Sequence, residues 1–252
     1  MINLSAVIIT FNEERNIARC LESLAGIADE LVVIDSLSTD RTVEIAESFG
    51  ARVISQKFLG HIEQKNFALE QARYDHAISL DADEALDDTL RASILKVKEH
   101  FSSDGYSMNR LTNYCGQWIR HCGWYPDIKL RLINQKLGSW QGVNPHDRYE
   151  LRNGSKIKHL KGDLLHYSFY SIDEHERQID KFSDISANAK YESGIRSSWL
   201  KIIVKTGAKF LKTYVIKLGF LDGYYGWVIC TKSAKANFLK YHKLLKIQRG
   251  IT

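Results

Sequence analysis

Proline is nearly missing from this chain, at two in 252 residues, and there is no low-complexity stretch or internal repeat. Little of the chain is therefore suited to extended linkers or disorder. No run of about 18 apolar residues occurs, which excludes a membrane-spanning helix. The N-terminus lacks a basic n-region and a long h-region, so it reads as a strand and not as a signal peptide, and the chain is expected in the cytoplasm. Cysteine is sparse: Cys20, Cys115, Cys122 and Cys230, none in a CxxC pair. Cys115 and Cys122, with His121 beside the second, lack the four paired ligands of a zinc site. Buried or idle thiols in a reducing compartment are the better reading.

Acids are nearly absent from one end. From Ile195 to Thr252 there are twelve Lys and Arg against one acid, Asp222, so this tail carries +11 and the rest of the chain −6 of the overall +5. A mildly acidic body with a basic tail suggests two tasks. The length and 44% apolar content suffice for one large α/β domain, or a domain with an appendage.

The first hundred residues alternate strand and helix signals. Leu4 to Thr10, Leu31 to Ile34, Arg52 to Ser55 and His76 to Leu80 read as strands, with helices from Glu14, Thr42, His61 and Leu86. Such alternation predicts βαβ units and a mostly parallel sheet. Asp104 to Asn113, Ile128 to Asn134, Ser139 to Val143 and Lys158 to Phe169 read as strands in mixed pairing, and Ile172 to Tyr191 as a helix. We therefore expect an α/β domain over residues 1–194, with a parallel half (1–100) and a mixed half (101–194), followed by a helical extension over 195–252.

Ligands of an open parallel sheet bind beyond the carboxyl ends of its strands, and acids cluster there. Strand one ends in Thr10-Phe11-Asn12-Glu13-Glu14, strand two in Asp35 through Asp40, and strand four in Asp81-Ala82-Asp83. Ser38 and Asp40 are also natural helix caps. Two carboxylates one residue apart on a sharp turn suit Mg²⁺ or Mn²⁺ holding a diphosphate, because such ions take one or two carboxylates plus phosphate oxygens.

The chain resembles the inverting family 2 glycosyltransferases of GT-A fold, and within them the lipopolysaccharide and lipooligosaccharide core glucosyltransferase-like branch. The resemblance rests on Val7-Ile8-Ile9-Thr10-Phe11-Asn12-Glu13, Val33-Ile34-Asp35-Ser36 with Ser38-Thr39-Asp40-Arg41-Thr42, Gln64-Lys65-Asn66-Phe67-Ala68 and Leu80-Asp81-Ala82-Asp83-Glu84. It continues through Pro126 to Leu132, Trp140-Gln141-Gly142, His146-Asp147 and Gly219-Phe220-Leu221-Asp222-Gly223. It implies a nucleotide-sugar donor, most simply a UDP-hexose. Thr10, Phe11 and Glu13 would form the nucleoside pocket, and Asp35 would accept from the base. Lys65, Asn66 and Asp81 would complete the donor site, while Asp83, with Asp81 and His166, would hold Mn²⁺ or Mg²⁺. Asp147 would be the base that deprotonates the acceptor hydroxyl, with Asp127 as the alternative. Arg131, Lys129 and His146 would meet the diphosphate or an anionic acceptor.

A nucleotidyltransferase would share the sheet and the metal. It would carry a Gly-rich basic loop after strand one, where this chain has Asn12-Glu13-Glu14. A non-catalytic nucleotide-sugar binder would not need the acids that are present. Nucleic-acid binding through the tail has no motif behind it and faces an acidic body. The tail itself places Trp199, Ile202, Ile203, Phe210, Leu211, Tyr214, Val215 and Leu218 at helical spacing, with Lys201, Lys205, Lys209 and Lys212 on another stripe. Two readings follow. In one, the tail docks peripherally on the anionic inner face of the plasma membrane, where the resembled branch finds lipid-linked saccharide acceptors. In the other, the apolar stripe packs on the catalytic domain. The oligomeric state is open.

Overall fold

The structure is a computed structural model that describes residues 1–143 and 146–251, with only the backbone of His146. It consists of two compact units, residues 1–111 with 127–167, and residues 112–126 with 168–252.

The first unit is built on a twisted mixed sheet. Its parallel half comprises β1 (Leu4–Thr10), β2 (Glu30–Asp35), β3 (Arg52–Ser55) and β4 (His76–Asp81), in the order β3-β2-β1-β4. The sheet continues as β8 (Asp127–Asn134), β6 (Gly105–Tyr114), β11 (Ile157–Phe169) and β5 (Glu84–Leu86); β8 runs antiparallel to both β4 and β6, and β5 antiparallel to β11. β9 (Gly138–Val143) and β10 (His146–Leu151) form a separate two-stranded sheet. Continuous Val/Ile runs such as Ala6-Val7-Ile8 are buried on both faces, as parallel strands covered by helices require.

Four helices flank this sheet. α1 (Ile17–Leu24) buries Ile17, Cys20, Leu21 and Leu24, an i, i+3, i+4, i+7 stripe. α2 spans Thr42–Ser48. α4 (Asp88–Glu99) starts on Asp87, whose carboxylate accepts from the Leu90 N–H at 2.6 Å. α3 (His61–Glu70) breaks the usual pattern, because its buried face carries Gln64 and Lys65 beside Ala68 and Leu69. Buried polar side chains need partners, and those of α3 lie at the carboxyl edge of the sheet.

The second unit is helical. α5 (Ile172–Glu192) opens with a capping box between Ser171 and Glu174. α6 (Trp199–Leu211) passes through a π-turn at Lys212–Ile216 and a 3₁₀ turn at Gly219–Asp222 into α7 (Gly223–Gln248). β7 (Gln117–Ile119) pairs with the end of β6 in this unit. The charge pattern suggests a boundary near residue 194, whereas α5 packs on α7 and so belongs with the tail helices. α7 starts at Gly223, within the glycine-marked stretch 219–226. A Cβ on Gly226 would lie 1.9 Å from the Gly219 carbonyl oxygen, so glycine there permits a close backbone approach and does not stop the helix. No helix among the described residues is long and apolar enough to cross a membrane.

The unit's core joins Tyr114, Ile119, Cys122, Phe169, Val228, Ile229 and Cys230. Buried Asp222 accepts from the His121 N–H (2.8 Å), from His121 Nδ1 (2.9 Å) and from the Arg120 N–H (3.2 Å). It ties the segment around residue 120 to the start of α7. Cys122 and Cys230 are free thiols with Sγ atoms 3.6 Å apart. Among the described residues no group of three His, Cys, Asp or Glu could hold a metal.

His175 is buried against Tyr114, whose hydroxyl lies 3.0 Å from Nδ1. Burial, reinforced by Lys232, lowers its imidazole from 6.5 to about 4. The neutral form is the folded form, so the unfolded chain binds this proton more readily. The stability tied to His175 is fully present above pH 6.5 and is lost as pH falls from there toward 4. At pH 5 the loss should be about 2 kcal/mol. A His175→Asn variant should show a flatter Tm profile between pH 7 and pH 5 than the parent. Parallel profiles by differential scanning calorimetry would refute this assignment.

Candidate active site

The carboxyl ends of β1 and β2 are adjacent, with Thr10 opposite Asp35 in parallel register. Their loops are stitched together. The Asn12 N–H donates to Ser38 Oγ (2.8 Å), the Glu13 N–H to Thr42 Oγ1 (2.8 Å) and the Thr39 N–H to Asn12 Oδ1 (2.8 Å). Asp40 accepts from the Thr42 and Glu14 N–H groups, so Ser38 and Asp40 tie the two loops together, while α2 begins without a side-chain cap bond. Asn12 and Leu37 hold left-handed backbone conformations at φ 53° and 66°, and strain of that kind gathers at functional sites.

Asp35 is 2% exposed. Its Oδ2 accepts from the Ser38 N–H at 2.9 Å, while Oδ1 is buried and has no partner among the described residues. Thr10 Oγ1 and Gln64 Oε1 are in the same condition. Buried polar atoms are seldom left unpaired, so this cluster is short of donors. Phe11 and Leu37, on the same two loops, leave apolar side chains exposed.

β4 delivers the second cluster. Asp81 Oδ2 accepts from Lys65 Nζ at 3.3 Å and from Arg131 Nη2 at 3.2 Å. Burial would raise its carboxyl, but the two cations outweigh that and hold it well below the usual range. Arg131 Nη2 also reaches fully buried Glu84 at 2.8 Å, and Glu84 pairs with Arg110 at 3.3 Å. Glu84 thus anchors both guanidiniums, and Arg131 is committed to structure as much as to a ligand. Asn66, placed by the sequence among the donor contacts, spends its amide on the Trp140 backbone. It donates to the carbonyl at 2.9 Å and accepts from the N–H at 2.8 Å, bracing β9.

The Lys65 ammonium lies 2.8 Å from Asp147 Oδ2 on β10 and 4.5 Å from the centre of the Trp140 ring. It therefore joins Asp81 to Asp147. Lys65, Asp81, Arg110, Arg131, Trp140 and Asp147 line a cavity of about 520 Å³, with Lys129 at its wall. Asp127 is not among the lining residues and is held by Arg110 (2.7 Å) and Lys129 (3.1 Å). The His146 side chain lies outside the described residues.

Asp83 and His166 meet at one point, Nε2 to Oδ2 3.2 Å, where the Tyr167 N–H donates to the Asp83 carbonyl. Burial raises the nearby Glu13 carboxyl to about 7, against a hydrogen bond from Asn16, and the Asp83 and Asp40 charges add to the rise. One carboxylate with one imidazole is a donor set that suits Mn²⁺ or Mg²⁺ when phosphate oxygens complete the shell.

Buried polar atoms without partners among the described residues at the strand ends, beside a carboxylate-lined cavity, suit a group-transfer enzyme. The family described as Glycosyl transferase family 2 matches residues 5–162. The chain belongs to this family. An uncharacterized glycosyltransferase of Rickettsia typhi is 32% identical over 98% of this chain and 88% of its own length. The lipopolysaccharide core biosynthesis glycosyltransferase LpsC of Rhizobium meliloti is 30% identical over 96% of this chain and 91% of its own length. Among solved structures, residues 1–349 of S. aureus TarS in complex with UDP align over 98% of this chain and 92% of that one, with 15% identity and a TM-score of 0.45.

In this family 2 glycosyltransferase with a GT-A sheet, the cavity is lined by two residues to which sequence reading gave no role. Arg110 holds Glu84 and Asp127, and Trp140 lies under the cations of Lys65 and Arg131. The one sequence signal for Arg110 is a charged residue inside a strand that is otherwise largely buried.

Proposed function

We propose that the protein transfers a hexose from a UDP-sugar, with inversion, to a saccharide acceptor carried on a lipid at the inner face of the plasma membrane, in lipopolysaccharide or related envelope-glycan synthesis. The observation that carries the donor assignment is Asp35 Oδ1, a buried carboxylate oxygen without a partner among the described residues. A carboxylate accepts and cannot donate. It therefore calls for a base with an imide N–H, as uracil has, and exposed Phe11 beside it offers an apolar face to the ring.

The rest of the chemistry follows from position. Asp83 and His166 would hold a divalent cation, which supplies charge neutralisation for the departing diphosphate. Asp147 is the base. Its Oδ2 is steadied by Lys65, and no donor among the described residues reaches Oδ1, which is left for the acceptor hydroxyl. Lys65 keeps Asp147 in register with Asp81, so base and donor site are set by one side chain. Asp127, between two cations and away from the cavity lining, is the weaker candidate.

The test is a titration of UDP, GDP and ADP by calorimetry with Mn²⁺ present. UDP should bind best. A hydrogen bond to a charged group contributes about 1.5–3 kcal/mol, so Asp35→Ala should weaken UDP roughly ten-fold or more and leave ADP nearly unchanged. Equal binding of all three nucleotides to the parent protein would overturn the donor assignment.

A further inference from the structure

α6 carries apolar side chains on two opposite faces. Ile202 is buried, and Phe210 with Tyr214 stacks toward Trp227 of α7, so this face is the packed one. At 100° per residue, Leu200, Val204 and Leu211 fall on the opposite side. They are 73%, 55% and 57% exposed. Val215 of the π-turn, 51% exposed, continues the strip. The outward side of a surface helix is normally polar, and an apolar strip of this length marks an interaction surface.

Charge identifies the partner. Lysines that α7 turns toward α5 have carboxylate partners: Lys232 and Lys235 share Glu176, and Lys243 pairs with Asp184. Lys201, Lys205, Lys209 and Lys212 lie along one edge of the α6 strip. None of them has a carboxylate within 4 Å among the described residues; the Lys201 ammonium donates to the Arg196 carbonyl. On that edge a cavity of about 370 Å³ opens between α5, α6 and α7, walled by Lys209, Lys240, Ser186 and Ser233. Burial, with the like charges of Lys190 and Lys209, lowers the Lys240 ammonium, so Lys190, Lys209 and Lys240 are close enough to repel one another. An apolar strip edged by unpaired ammonium groups matches a bilayer of anionic phospholipid, with acyl chains under the strip and phosphates at the lysine edge.

We propose that the outward face of α6 inserts into the surface of an anionic phospholipid bilayer, with the lysine edge and the adjoining cavity receiving lipid phosphate groups. This rests on the reading that the acceptor is lipid-borne, and it specifies which surface meets the lipid. Full-length protein should sediment with phosphatidylcholine vesicles containing phosphatidylglycerol, should ignore pure phosphatidylcholine, and should be released as salt rises. Lys205→Glu with Lys209→Glu should weaken partitioning about five-fold or more for each charge removed. Val204→Glu with Leu211→Glu should abolish it, and both side chains are exposed enough for the variant to fold. UDP affinity should be unchanged in both variants, so failure of docking and failure of the donor assignment are separable. Protein that stays in the supernatant at low salt, or that binds neutral and anionic vesicles alike, would overturn the proposal. So would a dimer in light scattering that Leu211→Glu converts to monomer, because the strip would then face a second copy of the chain.

Discussion

Asp147→Asn is expected to lower the rate of sugar transfer by about two to four orders of magnitude, the usual contribution of a general base, while UDP affinity stays within about two-fold. The substitution keeps an oxygen for the Lys65 ammonium, which remains paired with Asp81, so the buried cation is not orphaned. What is lost is the capacity to take a proton. A fall in kcat without a fall in nucleotide binding is the signature of a group that acts on the acceptor. Asp127→Asn should change transfer by less than about ten-fold, because its carboxylate serves Arg110 and Lys129. If Asp127→Asn produced the large loss and Asp147→Asn the small one, the base would lie on β8 and not on β10.

Asp83→Ala should remove transfer almost entirely, by about a thousand-fold or more if it deprives the diphosphate of its counter-ion. The fold should survive, because the Asp83 side chain is partly exposed and pairs with His166, itself at the site. Chelation with EDTA should silence the parent protein, and Mn²⁺ or Mg²⁺ should restore it. Added Mn²⁺ with UDP should raise the Tm of the parent and not of the variant, since ligand that binds only the folded state stabilises it in proportion to occupancy. Full transfer in EDTA would sink the metal assignment whatever the variant does.

The parallel half of the fold was legible because its signals are local. Buried strands such as Leu4–Thr10 are continuous apolar runs, α1 repeats at helical spacing, and acids at three successive strand ends fall on one edge once the strands are parallel. β5 and β7 could not be read, since three residues carry no periodicity. β10 was missed as well, its His-Asp-Arg-Tyr-Glu-Leu run having two apolar positions. The ion pairs were invisible for a different reason. Lys65 meets Asp147 across 82 residues and Arg131 meets Glu84 across 47, and neither separation leaves a trace in local pattern. Arg131 therefore read as a phosphate contact, and Asn66 as a donor contact, until their partners were in view. In the tail the spacing was clear, but the one apolar stripe it gave divides between packed Ile202, Phe210 and Tyr214 and exposed Leu211 and Val215, a division set by where α7 packs.

The path of the chain has a consequence for dissection of the protein. The second unit is entered twice, by residues 112–126 and again from residue 168. Tyr114, Ile119 and Cys122 from the first visit are buried against Val228, Ile229 and Cys230 from the last. Truncation after residue 194 would not yield a clean catalytic fragment. It would strip the mid-chain loop of the helix that covers it and leave an aromatic cluster open to water. The C-terminal helices are therefore a lid that the middle of the sequence cannot do without, and loss of function on shortening the protein would not by itself identify a targeting signal.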